Sequence, residues 1–165
     1  VEERKDTLKN MQKEMAALGH KWGRGAVEIK YYTSMGDDIE DEDKTMRKIE
    51  RMEEAEIRRG VTLVGPHRDE LLFLLGGKNI RRECSQGEQK LVTIMWRIAQ
   101  ARLIETGTGR SALLLMDDCL SELDEENRGT VLNELGAWEQ VLLTTTDDSR
   151  ELNEKNKIWL HDGDE

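Results

Sequence analysis

An α/β fold built around a parallel strand–helix–strand unit is what this sequence predicts, on three observations. Residues 112–116 form an unbroken apolar run of strand length. Asp124 stands at a helix N-cap position ahead of Val131, Leu132 and Leu135, and Gly136 stops that helix. Val141, Leu142 and Leu143 follow as a second apolar strand. Strand, helix and strand joined by short connections make a parallel unit.

The elements follow in chain order. Residues 1–19 read as a mostly exposed helix, with Leu8, Met11, Met15 and Leu18 at heptad-like spacing over two heptads. Gly19, Gly23 and Gly25 break it, and residues 27–32 alternate as a short strand. An acidic loop leads into a second charged helix over 41–59, with Met46, Ile49 and Met52 on one stripe. The character changes at Gly60, after which the apolar residues concentrate, so the core is expected there. Val61, Thr62, Leu63 and Val64 have strand propensity and are stopped by Gly65-Pro66, the only proline. The apolar run 71–75 with Gly76-Gly77 predicts a hairpin. Ser85 opens a helix to about Glu105, with Leu91, Ile94, Met95, Ile98 and Ala101 at helical spacing and Gly107 and Gly109 at its end. The strand at 112–116 is expected to be buried on both faces. Ile158, Trp159 and Leu160 form a last strand, and Asp162-Gly163-Asp164 a hairpin turn whose partner strand is expected downstream.

The 165 residues are enough for one domain with a small appendage. A net charge of −10 argues against this chain alone being a strong nucleic-acid binder. Lys78, Arg81 and Arg82, and also Arg58 and Arg59, are local basic clusters that read as ordinary solvated surface. Cys84 and Cys119 have neither metal spacing nor a disulfide framework, which fits a reduced, cytoplasmic protein. No signal peptide and no long apolar span occurs in the sequence, so secretion and membrane insertion are not expected.

Two motifs carry chemistry. Asp117 and Asp118 follow the strand at 112–116, where carboxylates at the carboxyl end of a parallel strand meet ligands. Magnesium takes one or two carboxylates together with water and phosphate oxygens. Taken alone, the pair fits strand-end turn residues equally well. Ser85-Gln86-Gly87-Glu88 is a capping box, S-x-x-E, and the same geometry offers a phosphate free N–H groups and a positive helix end. His67 has no second His or Cys at ligand spacing, and no G-x-x-x-x-G-K-[ST] phosphate loop occurs in the sequence.

Cap, long helix, glycine-rich turn, apolar strand, two acids and Ser121-Glu122-Leu123-Asp124, in that order, are more specific than any one part. The order resembles the ATP-binding-cassette (ABC) head of the SMC-like DNA-repair ATPases. There, Ser85-Gln86-Gly87-Glu88-Gln89 is similar to the signature motif, residues 113–118 to the Walker B strand, and Ser121 to Asp124 to the D-loop. Within the superfamily the chain looks most like the RecF family, through Gly65-Pro66-His67-Arg68-Asp69, Arg97-Ile98-Ala99-Gln100 and the Asp117-Asp118 pair with the D-loop. The resemblance covers Gly60 to the end well, and residues 1–59 only in character.

The resemblance implies the C-terminal part of an ABC-type (P-loop NTPase) head, with 1–59 a charged helical arm like lobe II and 60–165 carrying signature, Walker B and D-loop. It implies ATP and Mg2+ sandwiched in an ATP-dependent homodimer, with the phosphate loop expected upstream. Asp117 would join the magnesium shell and Asp118 would be catalytic. Ser85, Gln86, Gly87, Glu88 and Gln89 would meet the nucleotide of the other head, with Ser121 and Asp124 at the seam. It further implies action on single-stranded and gapped double-stranded DNA, with RecR and RecO, in loading recombinase during repair, recombination, replication and the SOS response. Two departures stand out. Asp118 occupies a place usually held by Glu, which implies slow hydrolysis. Thr146 occupies the place of a switch His and, with a hydroxyl, carries no positive charge. Two other readings are an SMC- or Rad50-like head, which wants a long heptad array, and a non-catalytic interaction module. The chain alone is expected to be inactive.

Overall fold

The computed structural model describes residues 2–36 and 41–145. The expected strand at Ile158, Trp159 and Leu160, the turn at Asp162-Gly163-Asp164, and Thr146 lie outside those residues.

Helix α1 (Glu2–Lys21) is not the exposed element its charge suggested. Met11, Met15 and Leu18 are buried, so the heptad-like stripe is used for packing within the chain. Gly19 lies inside the helix instead of ending it. A Cβ there would stand 2.1 Å from the carbonyl oxygen of Gly25, so glycine lets the following chain fold back against the helix. Strand β1 (Val27–Tyr32) forms as predicted. Gln12 of α1 lies along it like a neighbouring strand: its side-chain amide donates to the Val27 carbonyl (2.7 Å), and the Ile29 N–H donates to its Oε1 (2.6 Å).

Helix α2 (Glu42–Arg59) is capped by Asp41 and ends at Gly60, whose φ of +65° is the left-handed cap position. None of its residues is buried, and Met46 and Ile49 of the predicted stripe are exposed. Residues 61–64 form no strand. The N–H groups of Leu63 and Val64 donate to Glu56 Oε1 (2.7 and 3.2 Å), and that of Gly65 donates to Ser34 Oγ (2.9 Å). Donors committed to side chains cannot build a ladder.

Strand β2 (Glu70–Leu75) pairs antiparallel with β1, Val27 opposite Leu75 and Tyr32 opposite Glu70. It turns back through Gly76-Gly77 into β3 (Lys78–Asn79), and the φ values of +56° and +81° are those of a tight two-residue hairpin. A short helix, α3 (Ile80–Glu83), was not foreseen; the sequence offers too few residues there for periodicity to register. Helix α4 (Gln86–Thr108) starts at Ser85 as predicted and ends at Gly109. It buries Leu91, Val92, Ile94, Met95, Ile98, Ala99 and Ala101, more than one stripe, because it is the central helix of the core.

Strand β4 (Leu113–Met116), helix α5 (Glu125–Leu135) and strand β5 (Gln140–Leu143) form the expected unit, with β4 and β5 parallel and Leu113 opposite Gln140. The expectation of burial on both faces fails. Leu114 and Met116 are buried at 6% each, while Leu113, Leu115 and Leu142 are 55%, 67% and 56% exposed. Among the described residues, one face of this two-stranded sheet packs on the core and the other is open. The buried cluster spans α1, β1, β2, α4, β4 and α5, so the core extends well before Gly60.

Two buried carboxylates tie these elements together. Glu134 of α5, with a side chain 1% exposed, accepts from Lys21 Nζ (2.8 Å) and Trp22 Nε1 (3.1 Å) beside α1 and from Arg102 Nη2 (2.5 Å) on α4. Burial by itself would raise its pKa, but Lys21, Trp22 and Arg102 together hold it below the usual carboxylate range. Asp69 accepts from Tyr31, from the Ser34 N–H (2.9 Å) and from Arg4 (3.0 Å), fixing the Gly65–Asp69 segment against β1 and α1. Here too burial pushes upward, and the donors from Tyr31 and Ser34 outweigh it.

Replacing Glu134 by Ala removes the shared acceptor. Arg102 and Lys21 keep partial access to water, at 31% and 59% exposure, so the cost falls below that of a fully stranded buried charge. We expect a loss of about 2 kcal/mol in denaturant unfolding. Both carboxylates have folded pKa values below their unfolded ones, so their contribution is complete above about pH 4 and is lost as pH falls through the folded values. Unfolding curves recorded downward from pH 5 should therefore show falling stability, and Glu134→Gln should flatten that dependence.

Candidate functional site

Asp117 and Asp118 emerge from the carboxyl end of β4 with both side chains exposed, as a strand-end ligand site requires. Asp118 has a φ of +43° and Glu122 one of +66°, so two residues that are not glycine adopt left-handed backbone within one short loop. Such conformations persist only where the surroundings hold them. Part of that hold comes from Thr144, just past β5. Its hydroxyl donates to Asp117 Oδ1 (2.5 Å) and accepts from the Asp118 N–H (3.0 Å). Ser121 closes the loop by donating to the Asp118 carbonyl (3.0 Å).

The signature-like helix start lies against this loop. A Cβ on Gly87 would stand 3.1 Å from the Glu122 carbonyl oxygen. Lys90, one turn further into α4, donates to Ser121 Oγ (3.3 Å). Contacts thus run from the first turn of α4 through Ser121 to Asp118, then through Thr144 to Asp117. Lys90 and Thr144 were not picked out from sequence, and Glu122 only as part of the D-loop-like stretch. Of the first two, Thr144 alone carried a signal, its place at the end of the strand beside the two acids.

At the helix start itself, the capping box forms in full. The Glu88 N–H donates to Ser85 Oγ (3.3 Å), and the Ser85 N–H donates to Glu88 Oε2 (2.8 Å). The Ser85 hydroxyl donates to the same carboxylate (2.9 Å). These bonds, the backbone N–H of Ser85 first, hold the Glu88 carboxyl below its ordinary range. The Gln89 N–H is taken by the Ser85 carbonyl (3.0 Å), which leaves the amides of Gln86 and Gly87 as open first-turn donors. The Gln89 side chain donates to the Cys84 carbonyl (3.0 Å). Asp124 caps α5 by accepting from the Asn127 N–H (2.8 Å).

Among the described residues no group of three or more His, Cys, Asp or Glu could hold a metal ion. The two acids still fit magnesium, which needs only one or two carboxylates when phosphate and water complete its shell. Two surface clefts, of about 740 and 600 Å3, lie away from the acids; Trp96 and Leu71 line both, and Arg81 and Arg82 line the smaller. No helix among the described residues is long and apolar enough to cross a membrane.

No protein-family model matches the chain. Curated relatives do. The DNA replication and repair protein RecF of Listeria welshimeri serovar 6b is 36% identical over 152 residues, 88% of this chain and 41% of the relative. The RecF of Lysinibacillus sphaericus is 38% identical over 129 residues, 75% of this chain and 35% of the relative. The chain thus spans about two fifths of the length of these relatives or less. Two solved structures of the recombination mediator protein RecF, one with ATP and one with ATPrS, superpose with TM-scores of 0.71 and 0.70 at 23% identity. They cover 91% and 88% of this chain, and the chain covers 42% and 40% of theirs; at that identity the likeness establishes the shared fold.

Ser85→Ala removes the N-cap acceptor and one of the donors to Glu88. Thermal or denaturant unfolding should register a loss of about 1 kcal/mol. Gly87→Ala should displace the Glu122 carbonyl, read as amide shifts confined to the 117–124 loop and the first turn of α4; an unchanged loop would show that the glycine is not in contact with it.

Proposed function

The chain belongs to the RecF family of DNA replication and repair proteins, and from that premise we propose that it supplies the signature, magnesium-binding and D-loop part of an ATPase head working as an ATP-dependent dimer. One observation carries the reading: the first turn of α4 rests on the loop that bears the acids, through Gly87 on Glu122 and Lys90 on Ser121. A helix start that serves the nucleotide of a second head is thereby fixed to the catalytic loop of its own head.

In this reading the Gln86 and Gly87 amides and the Ser85 hydroxyl donate to the γ-phosphate of ATP held by the phosphate loop of the opposite head. The Ser85 proton, which points to Glu88, turns to the phosphate. Glu88 and Gln89 keep the helix start in shape, through the capping box and the bond to Cys84. Asp117 would join the shell of a magnesium ion, which when bound would supply positive charge against the phosphates. Asp118 orients the attacking water or accepts its proton. Being one methylene shorter than the usual Glu, it reaches less far, which suits slow hydrolysis and a timing role. Ser121 and Asp124 lie at the seam between heads, and Thr146 takes the switch position.

We keep 60–165 as the head part and 1–59 as the arm, with the difference that α1 and β1 are built into the core of the head. The cellular role that fits is ATP-dependent assistance to recombinase loading on single-stranded and gapped double-stranded DNA, with RecR and RecO, in the cytoplasm.

In a polypeptide that joins this chain to a phosphate loop, Asp118→Asn should lower steady-state ATP hydrolysis on the order of a hundredfold or more. The variant should still dimerise with ATP, as read by light scattering. Undiminished hydrolysis would remove the role given to Asp118, and a protein that stays monomeric with ATP would remove the sandwich. The 165-residue chain by itself should hydrolyse no ATP.

A further inference from the structure

We propose that Thr144, two residues before the switch position assigned to Thr146, is the positioning residue that sets both strand-end acids for a divalent cation; the inference rests on the roles given above to Asp117 and Asp118. Its place comes from the sheet. The Thr144 N–H donates to the Met116 carbonyl (2.9 Å), extending the β4–β5 ladder by one bond and setting the Thr144 side chain beside the end of β4.

A hydroxyl has one proton to donate and lone pairs to accept with. Thr144 spends the proton on Asp117 Oδ1 (2.5 Å) and accepts from the Asp118 N–H (3.0 Å). One side chain therefore fixes two consecutive acids by different means. It orients the Asp117 carboxylate directly, leaving Oδ2 without a protein hydrogen bond among the described residues. It holds Asp118 through the backbone, at the residue whose φ is +43°. A left-handed residue that is not glycine reverts readily unless its amide is anchored, and reversion would swing the Asp118 side chain away from its neighbour. Valine at 144 keeps the shape and β-branching and loses both bonds. Alanine loses them without branching. Serine keeps the hydroxyl.

The test uses the 165-residue chain labelled with 15N and titrated with Mn2+ alone, reading paramagnetic broadening of the Asp117 and Asp118 amide signals. Hydrogen exchange of the Asp118 amide is measured alongside. Wild type and Thr144→Ser should broaden over the same Mn2+ range. Thr144→Val and Thr144→Ala should need about fivefold more Mn2+ and exchange the Asp118 amide about fivefold faster, with the other amide signals unmoved. If both variants bind Mn2+ as wild type does, the positioning role is wrong and the assignment of the acids stands. If wild type shows no broadening at Asp117 and Asp118, the metal reading is wrong, and this inference falls with it.

Discussion

A carboxylate on the last turn of α5 is the constraint on which the arrangement of the helices depends. Glu134 is almost fully enclosed, and an ionised carboxylate so placed must be met by donors. Its donors come from the end of α1 and from the C-terminal third of α4. Hydrophobic packing brings three helices together without strongly fixing their relative slide. Charged hydrogen bonds do fix it, because their geometry tolerates little displacement. Arg102 extends the tie to Glu14, the residue just before the buried Met15 of α1.

Fixing α4 along its length has its consequence at the far end. The helix runs from the capping box at Ser85 to the left-handed Gly109, held by side chains buried on several faces from Leu91 to Ala101 and by Arg102 in its C-terminal third. Its first turn is thus delivered to the loop after β4 as part of a rigid body. Gly87 permits the close approach, and Lys90 makes it specific through Ser121. The loop is strained at Asp118 and Glu122, and it is held from two sides, by α4 and by Thr144 just past the neighbouring strand. The signature-like helix start and the acids after β4 become one mechanical unit.

The Gly65–Asp69 segment, singled out by its resemblance to the RecF family, acquires a structural reason. Its terminal carboxylate collects donors from Tyr31, Ser34 and Arg4, and Arg68 donates to the Thr62 carbonyl (2.6 Å), while His67 stays exposed. The segment, with a 3-10 turn at Pro66–Arg68, pins the connection after α2 to the β1–β2 pair. The open face of β4 and β5 is the contrasting case. Leu113, Leu115 and Leu142 are as apolar as the residues they alternate with, yet they face outward.

The sequence by itself determined what depends on local chemistry. The cap at Ser85, the cap at Asp124, the Gly76-Gly77 hairpin and the parallel pair were legible because each rests on a few adjacent residues or on a period. The signature, Walker B and D-loop resemblance was legible because the motifs keep their order along the chain. Only the tertiary structure decided the burial of α1, since a charged helix with a short apolar stripe looks the same whether it packs or not. It also decided that 61–64 forms no strand, because Glu56 claims the Leu63 and Val64 N–H groups that propensity would have given to a ladder. The roles of Lys90, Glu122 and Thr144 belong with these. Each acts on a residue more than 20 positions away, and no period or cap rule links positions so distant: that link exists only when the strands pair and α4 is set in place.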